Sequence, residues 1–262
     1  MPTTLDQILA STSATLPALR ERRQAIQAAA GKATSPRPFL PPGDRTHLAL
    51  IAEVKRRSPS QGTISAALDP VAHAMRYAAA GASAISVLTD SPYFGGSLDD
   101  LRAVSSSVSV PCLRKDFILD ELQILEARAA GASAVLLIVR ALTPARLKAL
   151  LAAARAAELE ALVEVHDSGE LDVALDTDAR VIGVNSRNLD NFTIDITGAW
   201  ALLGRIPHDR FAIAESGMAS AADVRRAAEA GADGVLIGTA LSSATDPSAL
   251  ARAVASIACV GR

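Results

Sequence analysis

The sequence predicts a (βα)8 barrel of the TIM type with an extra N-terminal helix, an α/β fold, and three observations carry that prediction. The first is a repeat: Ala80-Gly81-Ala82-Ser83-Ala84 runs into ISVLT, Ala130-Gly131-Ala132-Ser133-Ala134 into VLLIV, and Ala230-Gly231-Ala232-Asp233-Gly234 into VLIGT. Each reads as a helix closed by a C-cap glycine, followed by a short apolar strand. The spacing, near 50 residues or twice that, is about two βα units per step. Asp178-Ala179-Arg180 before VIGVN fills the gap with the glycine missing. The second observation is that apolar runs at 48–55, 110–115, 160–165 and 211–215 fall between these strands. The third is that helical patterns at 70–80, 121–130, 144–157, 168–175 and 220–230 separate one strand from the next. Eight alternations with right-handed parallel crossovers close into a barrel, whose usual length of roughly 250 residues matches this chain. A doubly wound open sheet is the alternative, but no GxGxxG follows the first strand.

Ahead of the barrel, Leu5, Ile8, Leu9, Leu16, Leu19 and Ile26 recur at helical spacing over residues 5–30, with Pro17 expected to break or restart the helix. Residues 31–44 carry Pro36, Pro38, Pro41 and Pro42 and read as a linker. The chain therefore divides into an extension and linker, 1–45, and a catalytic barrel, 46–262, forming one domain overall.

Half of the 262 residues are hydrophobic but only 3% are aromatic, so the core must be built from Ala, Val, Leu and Ile. A net charge of −2 gives no global field favouring nucleic acid or an anionic membrane. Cys112 and Cys259 are too few for a disulfide framework and lack metal-ligand spacing. The first residues lack the basic and apolar regions of a secretory signal, and no apolar run approaches the roughly 20 residues of a membrane helix. A cytoplasmic chain, more readily a monomer than an oligomer, is expected.

The chemistry lies where the strands end. The first strand finishes in Glu53 and Lys55, two apart and so on one face. The third ends in Lys115, the fifth in Glu164, the sixth in Asn185 with Arg187 just beyond, and the seventh in Glu215. Polar groups at the carboxyl ends of apolar strands stand where barrel enzymes keep their active sites. A structural ion pair or a solvated rim explains any one of them, but not all together. Mixed charges crowded this way are where general acids and bases are made, and the three cations suit an anionic substrate.

A phosphate cradle is expected at the last two strands. Ser216 and Gly217 follow the seventh, Gly238 and Thr239 the eighth, so backbone N–H groups can approach an oxyanion. Ser58, in the loop after the first strand, could add a hydroxyl. Phe94, in SPYFGGS, and Phe117 could cover a planar ring, with loop packing as the plainer reading. His47, His73, His166 and His208 show no metal or triad spacing. His166 reads as an exposed loop residue, although it lies close after Glu164.

At IAEVKRRSPSQG, PCLRKDFILDELQILEARAAGASAVLLI, LVEVHD, IGVNSRNL and the AESG…LIGTAL pair, the sequence resembles the indole-3-glycerol phosphate synthase family. The resemblance runs from about residue 48 to 244. It implies closure of an indole ring on 1-(2-carboxyphenylamino)-1-deoxyribulose 5-phosphate, with loss of CO2 and water and without a metal or redox cofactor. By resemblance Lys115 is the general acid, and Lys55 holds the carboxylate and helps protonate the departing hydroxyl. Glu53 and Glu164 are the acids tied to those lysines, with the dehydration base left open between them. Asn185 and Arg187 orient the substrate and Glu215 anchors the sugar. Ser58, Ser216, Gly217, Gly238 and Thr239 hold the phosphate, and Phe94, Phe117, Leu136, Leu189 and Leu236 line the aromatic pocket. Ser186 and Thr239 depart from the family's usual Asn and Ser. Another phosphate-sugar barrel isomerase would need a Cys/Asp pair at strand ends one and six, where this chain has Glu53, Lys55 and Asn185. A non-catalytic phosphate-binding barrel would be expected to lack Lys115 or Glu164.

Overall fold

The computed structural model describes residues 4–40, 46–58, 62–63, 68–188 and 193–260, with only the backbone of Ser58. Eight parallel strands close into a barrel in sequence order: β1 (Ala49–Val54), β2 (Ala84–Leu88), β3 (Cys112–Lys115), β4 (Ala134–Ile138), β5 (Glu160–Val165), β6 (Val181–Asn185), β7 (Phe211–Glu215) and β8 (Gly234–Ile237). Ala49 pairs with Gly234 to close the ring. The expected strands are thus present, with β1 and β3 starting one and two residues later than the apolar runs suggest.

Two helices precede the barrel, α1 (Leu5–Glu21) and α2 (Arg23–Lys32). The break falls at Arg22 and not at Pro17, which sits inside α1. Packing of Leu16 and Leu19 with Ile26 and Leu122 in one apolar cluster offsets the hydrogen bond the proline removes. Helix α2 also runs through Gly31 to Lys32, so the linker begins at Ala33. Of the linker prolines, Pro41 and Pro42 lie outside the described residues.

The barrel helices are α3 (Pro70–Ala79), α4 (Leu98–Ser107), α5 (Glu121–Ala129), α6 (Pro144–Ala156), α7 (Ser168–Leu175), α8 (Ile196–Leu203), α9 (Ala221–Glu229), α10 (Thr239–Ser243) and α11 (Pro247–Ala255). Gly81, Gly131 and Gly231 take the left-handed conformation just past α3, α5 and α9, as the repeat requires. Glu158 adopts it after α6 without being glycine.

Side chains alternate across a strand, and here the alternation separates two cores. Ile51, Leu113, Leu136, Leu162, Ile213 and Leu236 fill the barrel interior. Leu50, Val87, Leu137, Val163, Ile182 and Val235 point outward, against Leu101, Leu147, Leu171 and Val224 of the helices. Phe39 and Leu40 join the interior cluster, and the linker they belong to lies beside Glu160, Val181 and Phe211 at the amino ends of the strands. The carboxyl ends stay open. The parity that aims Ile51 and Leu113 inward also aims Glu53, Lys55 and Lys115 inward, toward that opening.

Candidate active site

A cavity of about 150 Å³ occupies the open end. It is lined by Glu53, Lys55, Lys115, Glu164, Asn185, Arg187 and Glu215 from the strand ends. Ser216, Gly217, Gly238 and Thr239 border one side, and Phe94, Phe117, Leu136 and Leu236 another. The side chain of Ser58 and all of Leu189 lie outside the described residues; every other residue expected from the sequence to catalyse or bind substrate lines this one space.

Three ion pairs, centred on two lysines, organise it. Lys55 Nζ lies 2.9 Å from Glu53 Oε1. Lys115 Nζ lies 2.7 Å from Glu164 Oε2 and 3.3 Å from Glu215 Oε2. Asn185 Nδ2 donates to Glu164 Oε1 at 3.2 Å, and the Asn185 amide oxygen accepts from the Arg187 backbone N–H at 3.0 Å. Burial alone would lower the pKa of Lys115, but the carboxylates of Glu164, Glu215 and Glu53 outweigh it and hold the ammonium above its usual range. Burial would raise Glu164; Lys115 and then His166 overcome that and hold it below the carboxylate range. Glu215 goes the other way, pushed up from 4.5 to about 8 by burial, with Lys115 opposing and the charge of Glu164 adding to the rise. Two neighbouring carboxyls are thus pushed in opposite directions, the arrangement from which acid–base pairs are made.

Loop chemistry aims the aromatics. Asp90 caps the short helix Ser91–Phe94, accepting from the N–H groups of Tyr93 and Phe94 at 2.8 and 3.1 Å. Asp116 accepts from the Phe117 N–H at 2.8 Å. The two rings stand 6.2 Å apart, tilted by 38°. On the opposite side Ser216 has φ 63° and Gly217 φ 76°. A left-handed serine costs of order 1–3 kcal/mol and persists where the surroundings over-determine it.

Three features escaped the sequence. His166 is buried, with its side chain 4% exposed, and is not a loop residue facing solvent. Glu170, one turn into α7, accepts from its backbone N–H at 2.8 Å and draws it inward. Gly183 leaves room for a carboxylate, since a Cβ there would collide with Glu215 Oε1. Gly238 does the same for Glu53 Oε1, and its φ of −117° shows that clearance, not backbone freedom, demands glycine. The i, i+4 spacing of His166 and Glu170 was the one available signal; the clearances are tertiary facts.

A closed barrel whose strand ends gather four carboxyl or amide groups around two partly buried lysines defines an enzyme working by acid–base chemistry. A sequence model of the family described as indole-3-glycerol phosphate synthase matches residues 5–254. Curated relatives with that name include one from Opitutus terrae, 50% identical over 78% of each chain, and one from Chlorobium chlorochromatii, 45% identical over 93% of this chain and 97% of its own. The relative from Streptomyces coelicolor, indole-3-glycerol phosphate synthase 2, is 53% identical over 76% of this chain and 78% of its own. The chain belongs to the indole-3-glycerol phosphate synthase family and is a carboxy-lyase of tryptophan biosynthesis. Solved structures add the fold alone: a 3-hexulose-6-phosphate synthase superposes with a TM-score of 0.61 at 17% identity, covering 79% of this chain and 98% of that one.

Proposed function

We propose that this cavity closes the indole ring of 1-(2-carboxyphenylamino)-1-deoxyribulose 5-phosphate, with Lys115 as general acid and Glu164 as the dehydration base. The observation that carries the reading is Lys115 held at 2.7 Å from Glu164 and 3.3 Å from Glu215, facing the mouth. The aryl carbon bearing the carboxylate attacks the ribulose carbonyl, and Lys115 donates a proton to the oxygen as charge develops there. Glu215, protonated near neutral pH, lies close enough to return a proton to Lys115. CO2 then leaves, and its bonding electrons restore the aromatic ring. In the last step the hydroxyl departs as water, protonated with the help of Lys55, while Glu164 takes the proton from the adjacent methylene carbon and the indole double bond forms. Glu53 is tied to Lys55 at 2.9 Å and Glu164 to Lys115 at 2.7 Å, so each acid is held against one lysine.

The substrate is anionic at both ends. Lys55 and Arg187 suit its carboxylate and ribulose hydroxyls, with Asn185 orienting them, and Glu215 anchors the sugar. Ser216, Gly217, Gly238 and Thr239, with Ser58, are assigned the phosphate. Phe94, Phe117, Leu136 and Leu236, with Leu189, are assigned the anthranilate ring. This geometry spends binding energy on a near-attack conformer.

The chain is assigned to the cytoplasm as a monomer, with residues 1–45 and 46–262 in one domain. Supporting this, no helix among the described residues is long and apolar enough to cross a membrane. The exposed large hydrophobics among them, Met75, Ile194 and Val260, sit on separate elements and make no patch on one of them. Light scattering should return a mass near 27.0 kDa.

The reaction is tested by adding the substrate to purified protein and following indole fluorescence beside Lys115→Ala. Indole from the parent and none from the variant is expected. Equal indole from both would overturn the role of Lys115, and none from the parent would overturn the reaction.

A further inference from the structure

His166 is a buried titratable group for which the steps above have no use. Its Nδ1 lies 3.0 Å from Glu170 Oε2, and its Nε2 lies 3.3 Å from Glu164 Oε1. Glu170 is itself fixed, accepting at Oε1 from Arg140 Nε at 2.6 Å. Arg140 also reaches Asp167 at 3.6 Å. Nδ1 is hydrogen-bonded to Glu170, whereas Nε2 is buried beside Glu164 at ion-pair distance with no hydrogen-bond partner among the described residues. A neutral imidazole has one donor and one lone pair, so one nitrogen would face a carboxylate oxygen with no proton between them. The imidazolium sets positive charge within ion-pair distance of both carboxylates.

The consequence falls on Lys115. Glu164 and Glu215 share its single ammonium, and two carboxylates beside one cation do not both ionise readily. Glu164 is the nearer of the two, hydrogen-bonded to the ammonium at 2.7 Å, while Glu215 stands at 3.3 Å. Glu164 also accepts from Asn185 Nδ2 and has His166 as a second basic neighbour, whereas Glu215 Oε1 is buried without a hydrogen-bond partner among the described residues.

We propose that His166 is a positioning residue of the reaction: as an imidazolium braced by Glu170, it gives Glu164 rather than Glu215 the negative charge beside Lys115 and keeps Glu164 aimed at that lysine. The proposal rests on the reading of Lys115 and Glu164 as the acid and base, and it says how that pair is set. The charged groups around the ring are Glu164 on its own strand, Glu170 of α7, Arg140 of the turn after β4, and Asp167 beside it, with Lys115 beyond Glu164. Burial opposes the imidazolium and Arg140 adds a smaller repulsion, but the facing carboxylates of Glu164 and Glu170 carry its pKa up to about 9.

The test is the pH dependence of kcat and kcat/KM in His166→Gln, which keeps a donor and a similar volume but carries no charge. Without the imidazolium Glu164 holds its proton to higher pH. The acidic limb should therefore move up by about one pH unit, with kcat falling and KM little changed. Glu170→Gln, which leaves His166 in place but weakens its charge, should move the limb the same way by less. Ring nitrogen shifts of His166 in the parent should remain those of an imidazolium at about pH 8. An unmoved limb in both variants, or a neutral ring at that pH, overturns the proposal, even if both variants lose thermal stability. If His166→Gln does not fold, Glu170→Gln and the ring shifts decide. Glu164→Gln separates the two levels: if it turns over normally, the assignment of the base has failed. If it is inactive while the limb stays put in the other variants, only the role of His166 has failed.

Discussion

Arg114 and Lys115 are consecutive, the first buried and the second partly buried, and both ringed by carboxylates, yet they face opposite sides of the barrel wall. Arg114 points outward. Its Nε donates to Thr89 Oγ1 at 3.1 Å and to Asp116 at 3.2 Å, one terminal nitrogen to Asp116 at 2.9 Å, and the other to the Gln123 carbonyl at 2.7 Å and Glu126 at 3.4 Å. Each nitrogen of the guanidinium has a partner, which is how a structural charge survives burial. Lys115 points inward to a cavity. Its two carboxyl neighbours are pushed apart in proton affinity, and one oxygen of Glu215 has no partner among the described residues. A buried charge that is fully satisfied holds the wall together, whereas one left unbalanced beside open space is available to a substrate. One residue of parity decides which is which.

Breaking the outer network should cost the most stability. Arg114→Met strands Asp116 and Glu126, and a loss of about 3–5 kcal/mol in denaturant unfolding is expected, with kcat of the folded fraction kept within about tenfold. Gly183→Ala sharpens the comparison from the inside. The added Cβ displaces Glu215, and kcat should fall by about 10²-fold with a much smaller change in stability.

The titration of Glu215 gives a signed test. Its folded pKa of about 8 exceeds the unfolded value of 4.5, so its contribution is fully present below pH 4.5 and is lost as pH rises through 8. Glu215→Gln, which cannot ionise, should therefore gain midpoint stability over the parent at about pH 9 relative to about pH 5. A constant difference across that range would show that Glu215 is not held protonated. The smallest effect belongs to the extension. Leu5 and Ile8 share the interior cluster with Phe94 and Phe117, and Tyr93 donates to the Gln7 carbonyl at 3.3 Å. Leu5→Ala should raise KM by about three- to tenfold and leave kcat alone, as a loss of apolar cover near the ring pocket would.

Much of this is legible in the sequence alone. Period-two alternation alone orients Glu53, Lys55, Lys115, Glu164, Asn185 and Glu215 together once the strands are recognised. The glycine-closed helices announced the repeat, and the strand limits were missed only where Leu48 and Val110 are apolar outside the ladder. What stayed hidden depends on how chain segments fold over one another. Pro17 looked like a breaker because the packing of Leu16 and Leu19 that tolerates it is tertiary. His166 looked like a loop residue because its burial depends on Glu170 turning back over the strand end. Gly183 had no visible role because the Glu215 carboxylate it clears belongs to the next strand.

The most direct test measures turnover and folding stability together for Lys115→Met, which removes the inward charge and keeps the bulk. Loss of kcat by about 10³-fold or more is predicted. Stability should stay within about 1 kcal/mol of the parent, because Glu215 and Glu164 can share a proton once the ammonium is gone. Retained turnover, or a stability loss as large as that of Arg114→Met, would contradict the distinction between the two faces and place Lys115 among the structural charges.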